Sequence, residues 1–209
     1  MRIGIIGAGN VGGTLGRRWA ALGHDVVFGV RGTPDDALRA IIDGAGGRAR
    51  AATVGEAARG AEVVVLATPW AAVPDALNAA APLDGKVLLD CTNPLKPGFT
   101  LDVGPGGESG GERVAALAKG ARVVKVFNTT GFNNMADPLY GGEPTIMFYA
   151  GDDAEAKAVA KRLATELGFD AVDAGPLARA RLLEPFALLW ITLAVGGLGR
   201  EIAFRLVRR

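Results

Sequence analysis

Near its amino terminus the chain reads Arg2-Ile3-Gly4-Ile5-Ile6-Gly7-Ala8-Gly9-Asn10-Val11-Gly12, and this run carries most of the information about architecture. Arg2 to Ile6 is a short apolar segment with several isoleucines, the pattern of a buried strand. Gly7, Ala8, Gly9, Asn10, Val11 and Gly12 match GxGxxG. In a chain with 31 glycines that pattern alone is weak. Here it follows a strand directly and opens a helix over Asn10 to Leu22. Val11, Leu15, Trp19 and Leu22 recur at helical spacing, and Gly23 ends the helix. Each glycine then serves a separate purpose. Gly7 makes the tight turn, Gly9 lets backbone approach a pyrophosphate, and Gly12 lets helix pack on strand. The unpaired N–H groups of the first helical turn, aided by the helix dipole, would hold the phosphates.

Downstream, strands and helices alternate. Strands are expected at Asp25–Val30, Arg48–Ala52, Val63–Ala67, Lys86–Asp90, Arg122–Phe127, Thr145–Ala150 and Phe169–Asp173. Thr33 is expected to cap a helix with Pro34 at its first position, closed by Gly44. Thr53 with Glu56, and Ser109 with Glu112, have capping-box spacing. Gly104 to Gly111 reads as a mobile loop, Asp152 to Leu167 as a helix, and Arg179 to Arg209 as all helical with a kink expected near Pro185. Apolar strands separated by helix-length segments give an α/β, Rossmann-type, doubly wound, mostly parallel sheet with a small C-terminal helical extension. The expected division is a binding domain over 1–176 and a helical segment over 177–209 that contacts the domain or a second subunit. That segment is too short for its own core.

Composition removes several classes. Hydrophobic residues make up 49% and charged residues 22%, which excludes disorder. Basic and acidic residues number 23 and 22 with no dense basic patch, so a nucleic-acid partner is not expected. A single cysteine, Cys91, and a single histidine, His24, exclude a disulfide framework and a Cys/His metal cluster; no metal site is expected. The longest apolar run, Phe186 to Gly199, falls short of the ~20 residues that span a bilayer, so no membrane span and a cytoplasmic location are expected.

An acid about 20 residues beyond the glycine loop would bind the adenosine ribose and mark NAD. The sequence there reads Gly29-Val30-Arg31-Gly32-Thr33, without a carboxylate. Arg31 can fork onto a 2′-phosphate, so NADP(H) is expected over NAD. Three strand ends carry small polar groups suited to a nicotinamide ribose or carboxamide: Ala67-Thr68-Pro69-Trp70, Asp90-Cys91-Thr92-Asn93-Pro94 and Phe127-Asn128-Thr129-Thr130. No histidine or serine accompanies them; Ser109 is the chain's one serine, His24 reads as structural and Cys91 as a small buried residue. Lys96 and Lys125 are the nearest amines, and neither has a visible partner. No catalytic acid–base residue is therefore assigned. The pattern points to a reaction that needs alignment above all: hydride transfer between two stacked redox rings.

The glycine loop, Thr68-Pro69-Trp70, the run Asp90 to Leu95, Lys125-Val126-Phe127-Asn128-Thr129 with Gly131-Phe132, and the tail motif Leu183-Glu184-Pro185 with Leu189-Trp190-Ile191 together resemble the coenzyme F420-dependent NADP oxidoreductase family. Similar domains form the reductase part of the six-transmembrane epithelial antigen metalloreductases. The resemblance implies NADPH held by Gly9, Asn10 and Val11 at the pyrophosphate and by Arg31 at the 2′-phosphate. The family often has serine before that arginine; Val30 stands there, leaving Arg31 and Thr33 for the phosphate. Pro69, Trp70, Asn93 and Asn128 would line the nicotinamide side. It further implies hydride transfer to or from a deazaflavin (coenzyme F420) or a flavin as redox partner, and a homodimer through the C-terminal helices. Two other readings stay open on the residues alone. One is a small-substrate dehydrogenase or imine reductase, although the tail is short for the helical domain of those enzymes. The other is a non-catalytic NADP(H)-binding sensor.

Overall fold

The computed structural model describes residues 1–209. It begins with β1 (Arg2–Ile6), α1 (Asn10–Ala21), β2 (Asp25–Val30), α2 (Asp36–Asp43), β3 (Ala49–Thr53), α3 (Val54–Gly60), β4 (Val63–Leu66), α4 (Val73–Ala80) and β5 (Val87–Asp90). A small hairpin follows, β6 (Leu95–Lys96) with β7 (Thr100–Leu101), then α5 (Gly110–Leu117), β8 (Arg122–Val126) and α6 (Phe132–Ala136). A second hairpin, β9 (Leu139–Tyr140) with β10 (Glu143–Pro144), leads to β11 (Ile146–Gly151), α7 (Ala154–Glu166), β12 (Asp170–Asp173) and α8 (Ala180–Leu193).

Eight strands form one sheet in the order β12-β11-β8-β5-β4-β1-β2-β3. From β3 to β8 all pairs are parallel, β11 runs antiparallel to β8, and β12 is parallel to β11. The central strands β4 and β5 are buried at every residue, which is why Val63–Leu66 and Val87–Asp90 read as continuous apolar runs and not as alternating ones. One core face centres on Trp19, Phe28, Phe127 and Leu163; the opposite face centres on Val64, Leu77, Val114 and Leu177. The strand order reverses between β1 and β4, so a crevice opens beyond their carboxyl ends.

Both capping boxes form: Thr53 with Glu56 starts α3, and Ser109 with Glu112 starts α5. Two local expectations are corrected. The cap of α2 is Asp35, whose carboxylate accepts from the Leu38 N–H, and not Thr33. Aspartate caps at least as well as threonine, and Pro34 fits in the extended backbone before it. The tail is helical only to Leu198; residues 199–209 return along the sheet as irregular chain. The Ile146 N–H donates to the Phe204 carbonyl, the Trp190 indole to the Ile202 carbonyl, and the Phe186 and Phe204 rings pack 4.8 Å apart, tilted by 52°. Glycines 196, 197 and 199 end the helix, with Gly197 and Gly199 both at positive φ.

The continuous helical segment Leu177–Leu198 is 22 residues long, not the fourteen of its apolar run, and by length and apolar composition it could cross a bilayer. Helix α8 continues through Pro185, with Ala180, Leu183, Glu184, Ala187 and Trp190 buried. The glycine-rich stretch before α5 is organised by Glu108, whose carbonyl accepts from the Gly104 N–H and whose carboxylate accepts from the Gly106 N–H.

Candidate functional site

The turn after β1 has the geometry that its glycines require. Gly7 sits at φ +97°, and a side chain there would meet the Ala67 carbonyl oxygen at 2.6 Å. At Gly12 a Cβ would overlap the Gly7 carbonyl oxygen, so helix and turn touch backbone to backbone. At Gly9 a Cβ would meet nothing within 4 Å; the backbone there faces open space. Gly9 is the N-cap of α1, no side chain caps the helix, and its first turn holds no acid. The Gly13 N–H reaches the Gly9 carbonyl at 2.7 Å, which leaves the amides of Asn10, Val11 and Gly12 without intrahelical acceptors. A helix end with free N–H groups and no acid of its own attracts an anion.

Above this turn lies a cleft of about 370 Å³. Gly7, Ala8 and Gly9 form its floor, Arg31 and Thr33 one side, and Thr68 and Pro69 the other. Leu38, Val54, Ala76 and Ala79 supply apolar wall. Arg31 is exposed and makes no hydrogen bond or ion pair with the protein, so its guanidinium is available to a ligand. The Thr68 hydroxyl oxygen is buried and has no hydrogen-bond partner. Asn10, Val11 and Gly12 stand behind the floor, in the first turn of α1.

The remaining expected residues lie outside this cleft, and protein groups already engage them. The Trp70 indole donates to the Asp102 carboxylate at 2.9 Å, and the Arg113 guanidinium lies 4.8 Å over the Trp70 ring. Asp102 also receives Arg113 and Lys96, each at 3.0 Å. The Trp70, Lys96 and Arg113 hydrogen bonds hold the Asp102 carboxyl well below the usual carboxylate range. Asn93 and Asn128 clasp each other: the Asn93 amide donates to the Asn128 carbonyl at 2.9 Å, and the Asn128 amide donates to Asn93 Oδ1 at 3.1 Å and to the Leu183 carbonyl at 3.3 Å. Asn128 Oδ1 is buried without a partner.

Beneath the asparagines is a buried charge cluster absent from the sequence-level expectations. Lys125, with no visible partner in the sequence, has three. Its Nζ donates to Asp90 Oδ2 at 2.9 Å and to the Thr92 carbonyl at 2.5 Å, and lies 3.0 Å from Glu184 Oε1. Glu184 also accepts from the Gly110 and Gly111 N–H groups at the start of α5, both at 2.9 Å. Asp90 Oδ1 accepts from the Thr92 N–H and hydroxyl. Burial disfavours the Lys125 ammonium, but the charges of Asp90 and Glu184 outweigh it and raise its pKa. Beside it, burial and the Asp90 charge push the Cys91 thiol far up, so it is no nucleophile at neutral pH. His24 is structural as expected: it bridges the N-terminus and Glu166 at 3.2 and 2.8 Å. One signal could have revealed the cluster, namely single charges inside otherwise apolar segments: Lys125 in VVKVF, Asp90 in VLLD and Glu184 in LLEPF.

The arrangement has close parallels. Residues 2–94 match the family described as NADP oxidoreductase, coenzyme F420-dependent. The crystal structure of a putative F420-dependent NADP-reductase from Arthrobacter sp. FB24 is 33% identical, covers 100% of both chains and superposes with a TM-score of 0.89. This chain belongs to the coenzyme F420-dependent NADP oxidoreductase family. The metalloreductase STEAP3 of Rattus norvegicus is 29% identical over 97% of this chain, which spans only 40% of that protein's length. A reductive aminase from Aspergillus terreus, solved with NADPH and ethyl levulinate, shares the fold at a TM-score of 0.69 and 22% identity, over 94% of this chain and 62% of that one.

Proposed function

We propose that the protein binds NADP(H) across its crevice and passes hydride between the nicotinamide and a deazaflavin of the coenzyme F420 type, with a flavin as the alternative ring. One observation carries this reading most: an uncapped, acid-free helix start and an unpaired arginine face the same cleft, about where a diphosphate and a 2′-phosphate of one dinucleotide would lie. Gly7, Ala8 and Gly9 would meet the diphosphate together with the amides of Asn10, Val11 and Gly12. Arg31 and Thr33 would take the 2′-phosphate. The unpartnered Thr68 hydroxyl fits as a hydrogen-bonding group for the nicotinamide half, with Pro69 beside it and the half-buried Asn93, held by Asn128, at the neighbouring strand end. Trp70, braced by Asp102 and Arg113, would wall that end.

When bound, the two rings supply the redox chemistry, a two-electron hydride exchange. The chain's own residues orient the rings and keep water out. A carbonyl or imine reductase would need a proton donor at the same place. The ends of β4, β5 and β8 offer none that reaches the crevice: Asp90 and Lys125 are fully buried and spent on each other. The exposed side chains Leu182, Leu189, Val195 and Leu198 along the last helix support a homodimer through that surface. Its buried Glu184, tied to Lys125, supports a docked helix over a membrane-spanning one. Rapid mixing of protein and NADPH with F420, FMN or a carbonyl–amine pair tests the reading. NADPH oxidation with the ring acceptors alone is expected, and turnover only with the carbonyl–amine pair would overturn it.

A further inference from the structure

The buried cluster of Asp90, Lys125 and Glu184 is chemically complete. The ammonium has three protons and three acceptors: Asp90 Oδ2, Glu184 Oε1 and the Thr92 carbonyl. The two carboxylates leave one surplus negative charge, which the Thr92 N–H and hydroxyl and the Gly110 and Gly111 amides at the positive end of α5 surround. Such a cluster is a poor way to gain stability, because apolar side chains of similar volume do as well or better. What it supplies is direction: a tetrahedral donor fixes three acceptors at once, on segments that are distant in the chain. Those segments are the ones that carry the asparagine clasp. Thr92 precedes Asn93, Lys125 stands three residues before Asn128, and Glu184 follows Leu183, whose carbonyl receives the Asn128 amide.

The backbone between Lys125 and Asn128 shows the same demand. Phe127 sits at φ +60°, a left-handed conformation unfavourable for a bulky residue. Its ring is held edge-on by Trp19 at 5.6 Å and Phe169 at 6.4 Å. That turn brings Asn128 back onto Asn93 and leaves Asn128 Oδ1 buried and unpartnered.

We infer that Lys125 is a positioning residue for hydride transfer: with Asp90 and Glu184 it sets the Asn93–Asn128 clasp, and through it the half-buried Asn93 side chain that would face the nicotinamide. This rests on the proposed NADP(H) reading, and the test separates the two. The variant Asp90→Asn/Lys125→Met/Glu184→Gln removes every charge and keeps the shapes; Glu184→Gln alone is the milder companion should the triple variant fail to fold. Each is compared with wild type by near-UV circular dichroism, by affinity for adenosine 2′,5′-bisphosphate, by the fluorescence of bound NADPH, and by single-turnover hydride transfer to F420 or FMN. The expected result is native circular dichroism and unchanged bisphosphate affinity, a changed nicotinamide fluorescence, and hydride transfer slower by about 10- to 100-fold in the triple variant and less in Glu184→Gln. Wild-type fluorescence and transfer in a folded variant would overturn the assignment. So would bisphosphate affinity falling in step with transfer, which would make the cluster general scaffold. If wild type binds bisphosphate but reduces neither ring, the functional reading fails, and the NADPH fluorescence still decides on positioning.

Discussion

The two ends of the crevice are built on opposite principles. At the end formed by β1, α1 and β2, the polar groups are unspent: free helix amides, an uncapped N-terminus and an arginine with no partner. At the end formed by β4, β5, β8 and α8, the polar groups other than the Thr68 hydroxyl and Asn128 Oδ1 are tied to one another, through Asn93 with Asn128, Lys125 with two carboxylates, and Trp70 with Asp102. The first end is suited to gripping an anion. The second is suited to holding a ring still. The difference predicts that substitutions at the first end change affinity and leave the fold intact, while substitutions at the second end change the fold or the rate.

The largest contrast is between Lys125 and Arg31. Lys125→Met alone leaves two unneutralised buried carboxylates and should cost about 3–5 kcal/mol of stability in urea unfolding. Arg31→Ala, on an exposed side chain without partners, should stay within about 0.5 kcal/mol of wild type in the same assay. Equal losses would erase the distinction between the two ends.

Gly12→Ala should come next. Its Cβ would overlap the Gly7 carbonyl, so a cost of about 1–3 kcal/mol in thermal unfolding is expected, with weaker binding of NADPH and NADH alike. Arg31→Ala should separate the two cofactors, weakening NADPH about 10- to 100-fold, as expected for loss of a charged hydrogen bond, while NADH changes little in fluorescence titration.

Smaller effects are expected where α8 meets α5. Ser109→Ala should cost about 1 kcal/mol through the lost cap. The Arg181 hydrogen bonds, with those of Ser109, lower the Glu112 carboxyl from its ordinary 4.5 to about 2 against the opposing effect of burial. A depressed carboxylate stabilises the fold fully above pH 4.5, and that contribution fades as pH falls towards 2. The Tm of Glu112→Gln should therefore fall less steeply than that of wild type across this interval, and parallel curves would show that the contact contributes nothing.

The same contrast explains what can be read from the residues alone. The gripping end is written locally. Gly7, Gly9 and Gly12 are within one turn, Arg31 ends the next strand, and backbone geometry follows from short-range sterics. Thr53 and Ser109 are equally legible, because a capping box spans four residues. The holding end is assembled from residues 32 to 74 positions apart, from Trp70 with Asp102 to Glu184 with Gly110. No periodicity announces such a pairing. The residue pattern overextends the tail helix for a related reason: the last residues are ordered by distant contacts, Phe204 with Ile146 and Ile202 with Trp190, while glycines 196, 197 and 199 have already closed the helix. Thr33 loses the capping role to Asp35, two residues on, a choice that local propensity does not settle.

Titration calorimetry of the purified protein with NADPH and, separately, with NADH probes the gripping end without any assumption about the electron acceptor. NADPH should bind at one site per chain and more tightly than NADH. Absence of heat with both dinucleotides, or equal affinity for the two, would contradict the assignment of the glycine turn and Arg31.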